Sequence, residues 1–178
     1  MQNISYTNYS STSAKCQAEE LKGRYVATNC LNEIFSNYTV TTTGTPLTCP
    51  VDIKGSISTT DKCAKFNVEV KQRNKSEEQL LKYPTAELRI DKYNRMLSET
   101  PNGTALLYIV LLNKEWCYVF NLKKLDWSKV STFDWWIKQT QVEDNSPYKC
   151  YPTYSIPLEL ACRKINCSEY FNLYEEMI

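Results

Sequence analysis

Two carboxylates and a lysine, Asp52, Glu69 and Lys71, occur at a spacing that suits metal-assisted hydrolysis. Glu69 and Lys71 lie in an alternating stretch, 65–71, whose apolar positions would face one side of a strand and whose polar positions would face the other. The glutamate and the lysine would then stand about 6–7 Å apart on one face. A charged pair in a strand is costly unless it is paired, solvated in a cleft or bound to a metal. The pattern therefore predicts a functional site.

Asp52 is flanked by Val51 and Ile53 in a predicted strand, although aspartate is disfavoured in strand interiors. If this strand pairs with the strand of Glu69 and Lys71, the two carboxylates converge on one face of a sheet. Carboxylate oxygens are suitable ligands for Mg²⁺, which keeps waters in its other positions. A neighbouring lysine can orient or help to deprotonate a metal-bound water, so the pattern predicts phosphodiester hydrolysis.

This arrangement resembles the PD-(D/E)XK nuclease superfamily, the fold of restriction endonucleases and archaeal-type Holliday-junction resolvases. In that family a leading helix often carries an acid, an Asp ends one strand, and (D/E)-x-K lies on the next strand. Asp52 matches the Asp, while Glu69 and Lys71 match the Glu-x-Lys. Either Glu19 or Glu20 is the helix acid. The family's Pro directly precedes its Asp, whereas here Val51 separates Pro50 from Asp52.

The resemblance covers residues 14–122 and implies a fold, a cofactor and a reaction. The implied fold is α/β (α+β), a restriction-endonuclease-like core with a mixed central β-sheet flanked by helices. The implied cofactor is Mg²⁺ or Mn²⁺, held by Asp52, Glu69, the Val70 carbonyl and Glu20. Lys71 would activate water, and the protein would be a DNA endonuclease.

Contacts to DNA must come from local basic patches, because the formal net charge is only +1. The first candidates lie close to the predicted site, and the others are expected on one face of the following helix. These candidates are Lys54, Arg73, Lys75, Arg89, Lys92 and Arg95.

The chain is long enough for one domain, predicted over 14–178 after a flexible tail over 1–13, with 123–178 as a C-terminal extension. Ser13 is the predicted cap of the first helix. The expected elements are a helix over 14–35; strands over 38–43, 48–54 and 63–72; a helix over 84–98; a buried central strand over 105–112; an outer strand over 115–122; a helix over 126–141; an edge strand or loop over 148–157; a short helix over 158–165; and a tail over 170–178.

Histidine is absent and the eight cysteines form no Cys-x-x-Cys pair. The missing histidine excludes Ser-His-Asp and Cys-His catalysis, and the spacing of the cysteines does not suit a zinc site. No signal peptide and no stretch of membrane-spanning length is visible. We therefore expect free thiols in a cytoplasmic protein with no membrane partner.

Two other interpretations stay open. A nuclease fold of phage or mobile-element origin could serve as a catalytically inactive interaction protein. Alternatively, the even number of cysteines and the Asn-x-Ser/Thr sequons would suit a secreted, disulfide-bonded glycoprotein. The tryptophan-rich segment within 126–141 is a candidate interface for a homodimer.

Overall fold

The computed structural model describes residues 11–46, 49–138 and 148–177, in which the chain forms nine strands and four α-helices. In chain order the elements are α1 (Ser11–Ile34), β1 (Thr39–Gly44), β2 (Ile53–Ser58), β3 (Cys63–Arg73), α2 (Glu77–Lys82), β4 (Thr85–Arg89), α3 (Ile90–Glu99), β5 (Ala105–Leu112), β6 (Trp116–Asn121), β7 (Ser131–Lys138), β8 (Tyr148–Pro157), β9 (Arg163–Asn166) and α4 (Ser168–Met177). Short 3-10 helices occur at Trp127–Lys129 and Leu158–Leu160.

The larger sheet has six strands in the order β1-β2-β3-β5-β6-β9. β3 and β5 run parallel, with Glu69 opposite Tyr108, and the other neighbours run antiparallel. The connection between the parallel pair contains α2, β4 and α3, as a parallel crossover requires. The expectation of a mixed α/β fold with a mixed sheet is confirmed.

β5 lies at the centre of this sheet and is buried on both faces. Leu107, Ile109 and Leu111 pack in a core that includes residues of α1 and α4. The alternate residues of the strand pack in a second core on the opposite face. Burial on both faces accounts for the unbroken apolar run in the sequence, and the prediction of a buried central strand over 105–112 is confirmed.

A second, three-stranded antiparallel sheet, in the order β4-β8-β7, contributes to the second core together with α3. Ala86, Leu88 and Ile156 of this sheet are buried there. The fully buried Tyr108 donates a hydrogen bond from its hydroxyl to the Glu87 carbonyl oxygen, 2.7 Å away. This bond joins β5 of the first sheet to β4 of the second.

Several predicted elements in the C-terminal part are wrong. The segment predicted as a helix over 126–141 forms a 3-10 turn and then strand β7; residues 139–141 lie outside the described part. β8 is the middle strand of its sheet and is not an edge. The stretch 158–165 contains a 3-10 turn and part of β9, and the predicted tail over 170–178 is mostly α4. β-strand pairing across these segments decides their conformation, and the apolar content of one segment does not reveal that pairing.

Three boundaries also differ. Helix α1 begins at Ser11, so Ser13 lies inside it and is not its cap; the rest of the predicted tail, 1–10, is outside the described residues. The predicted strand over 48–54 begins only at Ile53 as β2, with residues 47 and 48 not described. The helix predicted over 84–98 begins at Ile90, because residues 85–89 pair as strand β4.

No helix in the described part of the chain is both long and apolar enough to span a membrane.

Candidate functional site

Backbone pairing between the β2 end and β3 sets the positions of Asp52 and Glu69. Ile53 lies opposite Val68 in the antiparallel ladder, and Asp52 directly precedes that pair. The Asp52 N–H donates to the Val68 carbonyl oxygen at 2.8 Å, while its Oδ2 accepts the Val70 N–H at 2.7 Å. The Asp52 carboxylate is therefore held at the β3 backbone, one residue beyond Glu69.

Glu69 is a fully buried carboxylate between two lysines. Its Oε1 lies 2.8 Å from the Lys71 Nζ, and its Oε2 lies 3.0 Å from the Lys92 Nζ on α3. These are close ion pairs, but neither carboxylate oxygen receives a hydrogen bond of normal geometry from the described residues. Burial raises the pKa of Glu69, Lys71 opposes that effect, and the negative charge of Asp52 adds to it. The lysines thus compensate the cost of burying the charge only in part.

A third cation, Arg24 on α1, lies between two acids. Its Nη2 is 2.6 Å from the Glu20 Oε1, one helical turn away, and 3.2 Å from the Asp52 Oδ1. Its Nη1 donates to the Thr45 carbonyl oxygen. Of the two candidate helix acids, Glu20 is the one linked to Asp52, whereas Glu19 uses its backbone carbonyl to accept a hydrogen bond from Gln72.

A cavity of about 610 Å³ opens beside these groups. α1 contributes Glu20 to its lining, the loop before β2 contributes Asp52, β3 contributes Val70 and Lys71, and α3 contributes Lys92. The structure therefore places Glu20, Asp52 and Lys71, three of the sequence-predicted residues, on the wall of one cavity. Glu69 is fully buried and is not part of this wall, but its carboxylate contacts Lys71, which is.

Carboxylate oxygens suit a hard divalent ion. The Glu69 oxygens are buried without a hydrogen bond of normal geometry and have only the Lys71 and Lys92 ammonium groups beside them to offset the cost of burial. In donor chemistry the site therefore fits Mg²⁺. In the described parts of the chain, however, no three His, Cys, Asp or Glu side chains are grouped closely enough to hold a metal ion. Arg24, Lys71 and Lys92 balance the charges of the three acids in the arrangement described here.

Lys54, Arg73 and Lys75, three of the predicted DNA-binding residues, lie on β2 and around the end of β3. Lys54 is exposed and lies opposite Asn67 in the backbone ladder of β2 and β3. The Lys75 Nζ lies 2.5 Å from the Glu87 Oε1, and the Arg73 Nε lies 3.9 Å from the Glu87 Oε2. Glu87 thus partly neutralises the basic patch near the site.

Arg89, Lys92 and Arg95 do not form the single helical face that their spacing predicts. Arg89 ends β4, pairs with Asp91 and stacks over the Tyr151 ring. Lys92 faces inward to Glu69, and only Arg95 lies on the exposed side of α3. The prediction of one shared face is wrong because a strand occupies the first turn of the expected helix.

The sequence alone does not predict the positions of two residues of the site, Arg24 and Lys92. The Glu20–Arg24 spacing marks a helical pair, but nothing local indicates that Arg24 also contacts Asp52, 28 positions along the chain. The sequence predicts that Lys92 contacts phosphate. Its contact with Glu69 depends on how α3 packs on the sheet, which the local sequence does not reveal.

Comparisons with protein-family models, curated proteins and solved structures found no match to this chain.

Proposed function

We propose that the protein is a metal-dependent nuclease of the PD-(D/E)XK type that hydrolyses phosphodiester bonds in DNA. The observation that supports this most is that Asp52, directly before β2, accepts a hydrogen bond from the Val70 N–H of β3, next to Glu69. The Lys71 Nζ lies 2.8 Å from the Glu69 carboxylate, and Asp52 and Lys71 line an open cavity. The chain contains no histidine, so a hydrolytic mechanism must use other groups. Carboxylates that hold a metal ion, together with a lysine, are sufficient for phosphodiester hydrolysis.

In this proposal Asp52 and Glu69, with the Val70 carbonyl, would hold Mg²⁺ or Mn²⁺, and Glu20 would complete the shell. The ion supplies polarisation of a phosphoryl oxygen and stabilisation of negative charge. Lys71 orients the attacking water and assists its loss of a proton. For Asp52 to be available as a ligand, Arg24 must release the Asp52 Oδ1.

A second candidate function is a catalytically inactive interaction protein with the same fold. The specific observation in its favour is that Glu20, Asp52 and Glu69 already have protein cations beside them. A site whose charges are balanced by arginine and lysine gains less from binding a metal ion than a site with uncompensated carboxylates.

Plasmid nicking separates the two functions. A nuclease should nick supercoiled DNA with Mg²⁺ or Mn²⁺ and stop with EDTA, and Lys71→Ala should lose activity by about 100-fold or more while staying folded. Lys65→Ala, an exposed position of the same strand, is the matched control and should keep activity. If no DNA or RNA is cleaved with either metal, and calorimetry detects no Mn²⁺ binding, the inactive interaction protein is supported instead.

A further inference from the structure

The β4-β8-β7 sheet has one face that contains both aromatic rings and cations. Directly paired residues of an antiparallel sheet share a face. Trp135 lies opposite Tyr151, and Phe133 and Arg89 both lie opposite Thr153. We call this surface the aromatic face; the residues on it that the argument uses are Glu87, Arg89, Phe133, Trp135, Lys149 and Tyr151. The other face of the sheet supplies Ala86, Leu88 and Ile156 to the core.

A cavity of about 670 Å³ lies between the aromatic face and the segment that follows β3. Arg73, Lys75 and Tyr83 line one side, and Phe133 and Trp135 line the other. Tyr83 is 58% exposed and Phe133 is 40% exposed, so their rings are available to a ligand. The volume is in the range of clefts that take small organic groups.

Cations are stacked against rings across this surface. The Arg89 guanidinium lies 3.8 Å from the centre of the Tyr151 ring, and the Lys149 ammonium lies 5.5 Å from the same ring. The Arg73 guanidinium lies 5.8 Å from the Trp135 ring. Such interleaving of flat rings and cations matches a ligand that alternates flat bases with phosphates.

The charge of the surface also favours an anionic ligand. Arg73, Lys75, Arg89 and Lys149 belong to the aromatic face or line its cavity, and among the described residues of this surface Glu87 is the acid. Asp91 compensates Arg89 from the start of α3. In the part of this surface that the structure describes, cations therefore remain in excess after these pairs are counted.

Arg73 joins this surface to the candidate site, because it lines both cavities. A chain of nucleotides whose phosphate lies beside Asp52 and Lys71 could continue past Arg73 onto the aromatic face. In a duplex the faces of the bases are stacked on one another, so only unpaired bases can lie on protein rings.

We propose that the aromatic face binds unpaired bases of single-stranded nucleic acid and thereby directs the nuclease to substrates with a single-stranded segment next to the cleaved phosphate. The location of the cleaved phosphate rests on the proposed function, whereas binding of the strand does not. Trp135 and Phe133 stack with bases, and Arg73 contacts the phosphate between the two cavities.

Fluorescence anisotropy of a labelled oligothymidylate in EDTA tests this proposal without any need for cleavage. Trp135→Ala should weaken binding by about 10-fold, as expected for loss of one stacked base, and Phe133→Ala should weaken it as well. Trp136→Ala is the matched control, because Trp136 is adjacent on the same strand, points to the other face and is 63% exposed. It should bind like the wild type, and a duplex of the same length should bind more weakly than the single strand.

Three results would overturn the proposal. They are equal binding by the Trp135 and Trp136 variants, equal binding of duplex and single strand, and no binding of any DNA or RNA oligonucleotide. If circular dichroism shows that Trp135→Ala does not fold, Phe133→Ala and Tyr83→Ala decide, since both side chains are partly exposed. Binding without any cleavage in Mg²⁺ would reject the nuclease and keep the aromatic face. If the protein cleaves DNA and the Trp135→Ala, Phe133→Ala and Tyr83→Ala variants all bind the oligonucleotide like the wild type, the aromatic face is rejected and the nuclease is kept.

Discussion

The Lys92 ammonium lies 3.0 Å from one carboxylate oxygen of the fully buried Glu69. Lys71 of β3 approaches the other oxygen, so helix and strand each contribute one cation to this acid. The helix α3 therefore helps to determine the charge state of the site, in addition to covering the sheet.

Replacing Lys92 with methionine keeps most of the apolar stem and removes the charge. Because Glu69 is buried and would retain only Lys71, we expect the free energy of unfolding at neutral pH to fall by about 1–3 kcal/mol. Urea unfolding measures this change. Lys62→Met, at an exposed position in the loop before β3, is the control and should alter stability by less than about 0.5 kcal/mol. If both variants were equally stable, the Glu69–Lys92 pair would contribute nothing.

We expect the titration of Glu69 to make the free energy of unfolding change with pH. Its pKa is raised above the ordinary value of 4.5, chiefly by burial, so the folded state holds this proton more tightly than the unfolded state does. The resulting contribution to stability is fully present below pH 4.5 and is lost as the pH rises through the pKa of the folded state.

Glu69→Gln removes this titration. The stability of the variant relative to the wild type should therefore increase with pH over that window, by about 1.4 kcal/mol for each unit by which the pKa is raised. Urea unfolding at a series of pH values tests this. Glu99→Gln removes an exposed carboxylate of α3 and controls for the loss of negative charge as such. A pH-independent difference between Glu69→Gln and the wild type would contradict a raised pKa.

Arg24 competes with any divalent ion for the Asp52 carboxylate. Arg24→Gln should bind Mn²⁺ more tightly than the wild type, by about 10-fold, which corresponds to the loss of one competing charge-assisted hydrogen bond. The same variant should be less stable, because Glu20 and Asp52 lose the cation between them. Titration calorimetry measures the affinity, and Arg95→Gln, which removes a surface cation of α3, is the control. Weaker Mn²⁺ binding by Arg24→Gln would mean that Arg24 organises the acids for the metal.

The parts of the fold that the sequence predicts well are those with a strong local pattern. The alternation around Glu69 indicates β3, and the apolar run of β5 indicates a strand buried on both faces. The proximity of Asp52 to Glu69 follows from two strands close in sequence that pair with each other. Each of these inferences needs only local periodicity and one short connection.

The parts that the sequence does not predict depend on contacts distant along the chain. Trp135 and Trp136 point to opposite faces of β7, and only pairing with β8 reveals this. The aromatic face requires β4, β7 and β8 to meet. Along the chain, however, α3, β5 and β6 lie between β4 and β7. Aromatic residues are common in both helix and strand, so the composition of that segment could not decide between them.

Gly55 of β2 is required by the close approach of its neighbours. A Cβ at this position would lie 2.5 Å from the Phe66 Cζ and 2.5 Å from the Thr41 carbonyl oxygen. Gly55→Ala should therefore reduce the free energy of unfolding by about 3 kcal/mol, because Phe66 is buried and the other contact is backbone. Gly44→Ala is the control: its Cβ would meet only the Arg24 Nη1, at 3.7 Å, and stability should change by less than about 1 kcal/mol. Equal effects of the two substitutions, measured by urea unfolding, would contradict this account of β2.

The cysteines test the alternative of a secreted, disulfide-bonded protein. Every cysteine whose side chain the structure describes is free, and Cys30, Cys117 and Cys167 are buried. Hydrogen bonding with Cys117 is the main cause that raises the pKa of Cys30, and hydrogen bonding with Cys30 does the same for Cys167.

Thiol titration without reductant should therefore count all eight cysteines in urea. In the native protein the exposed Cys63 and Cys162 should react first, and the buried Cys30, Cys117 and Cys167 should be protected, since reaction requires an accessible thiolate. Cys63→Ser and Cys162→Ser should each remove one fast-reacting thiol and leave the slow phase unchanged. A count below eight in urea would mean that disulfides are present and would favour the secreted alternative.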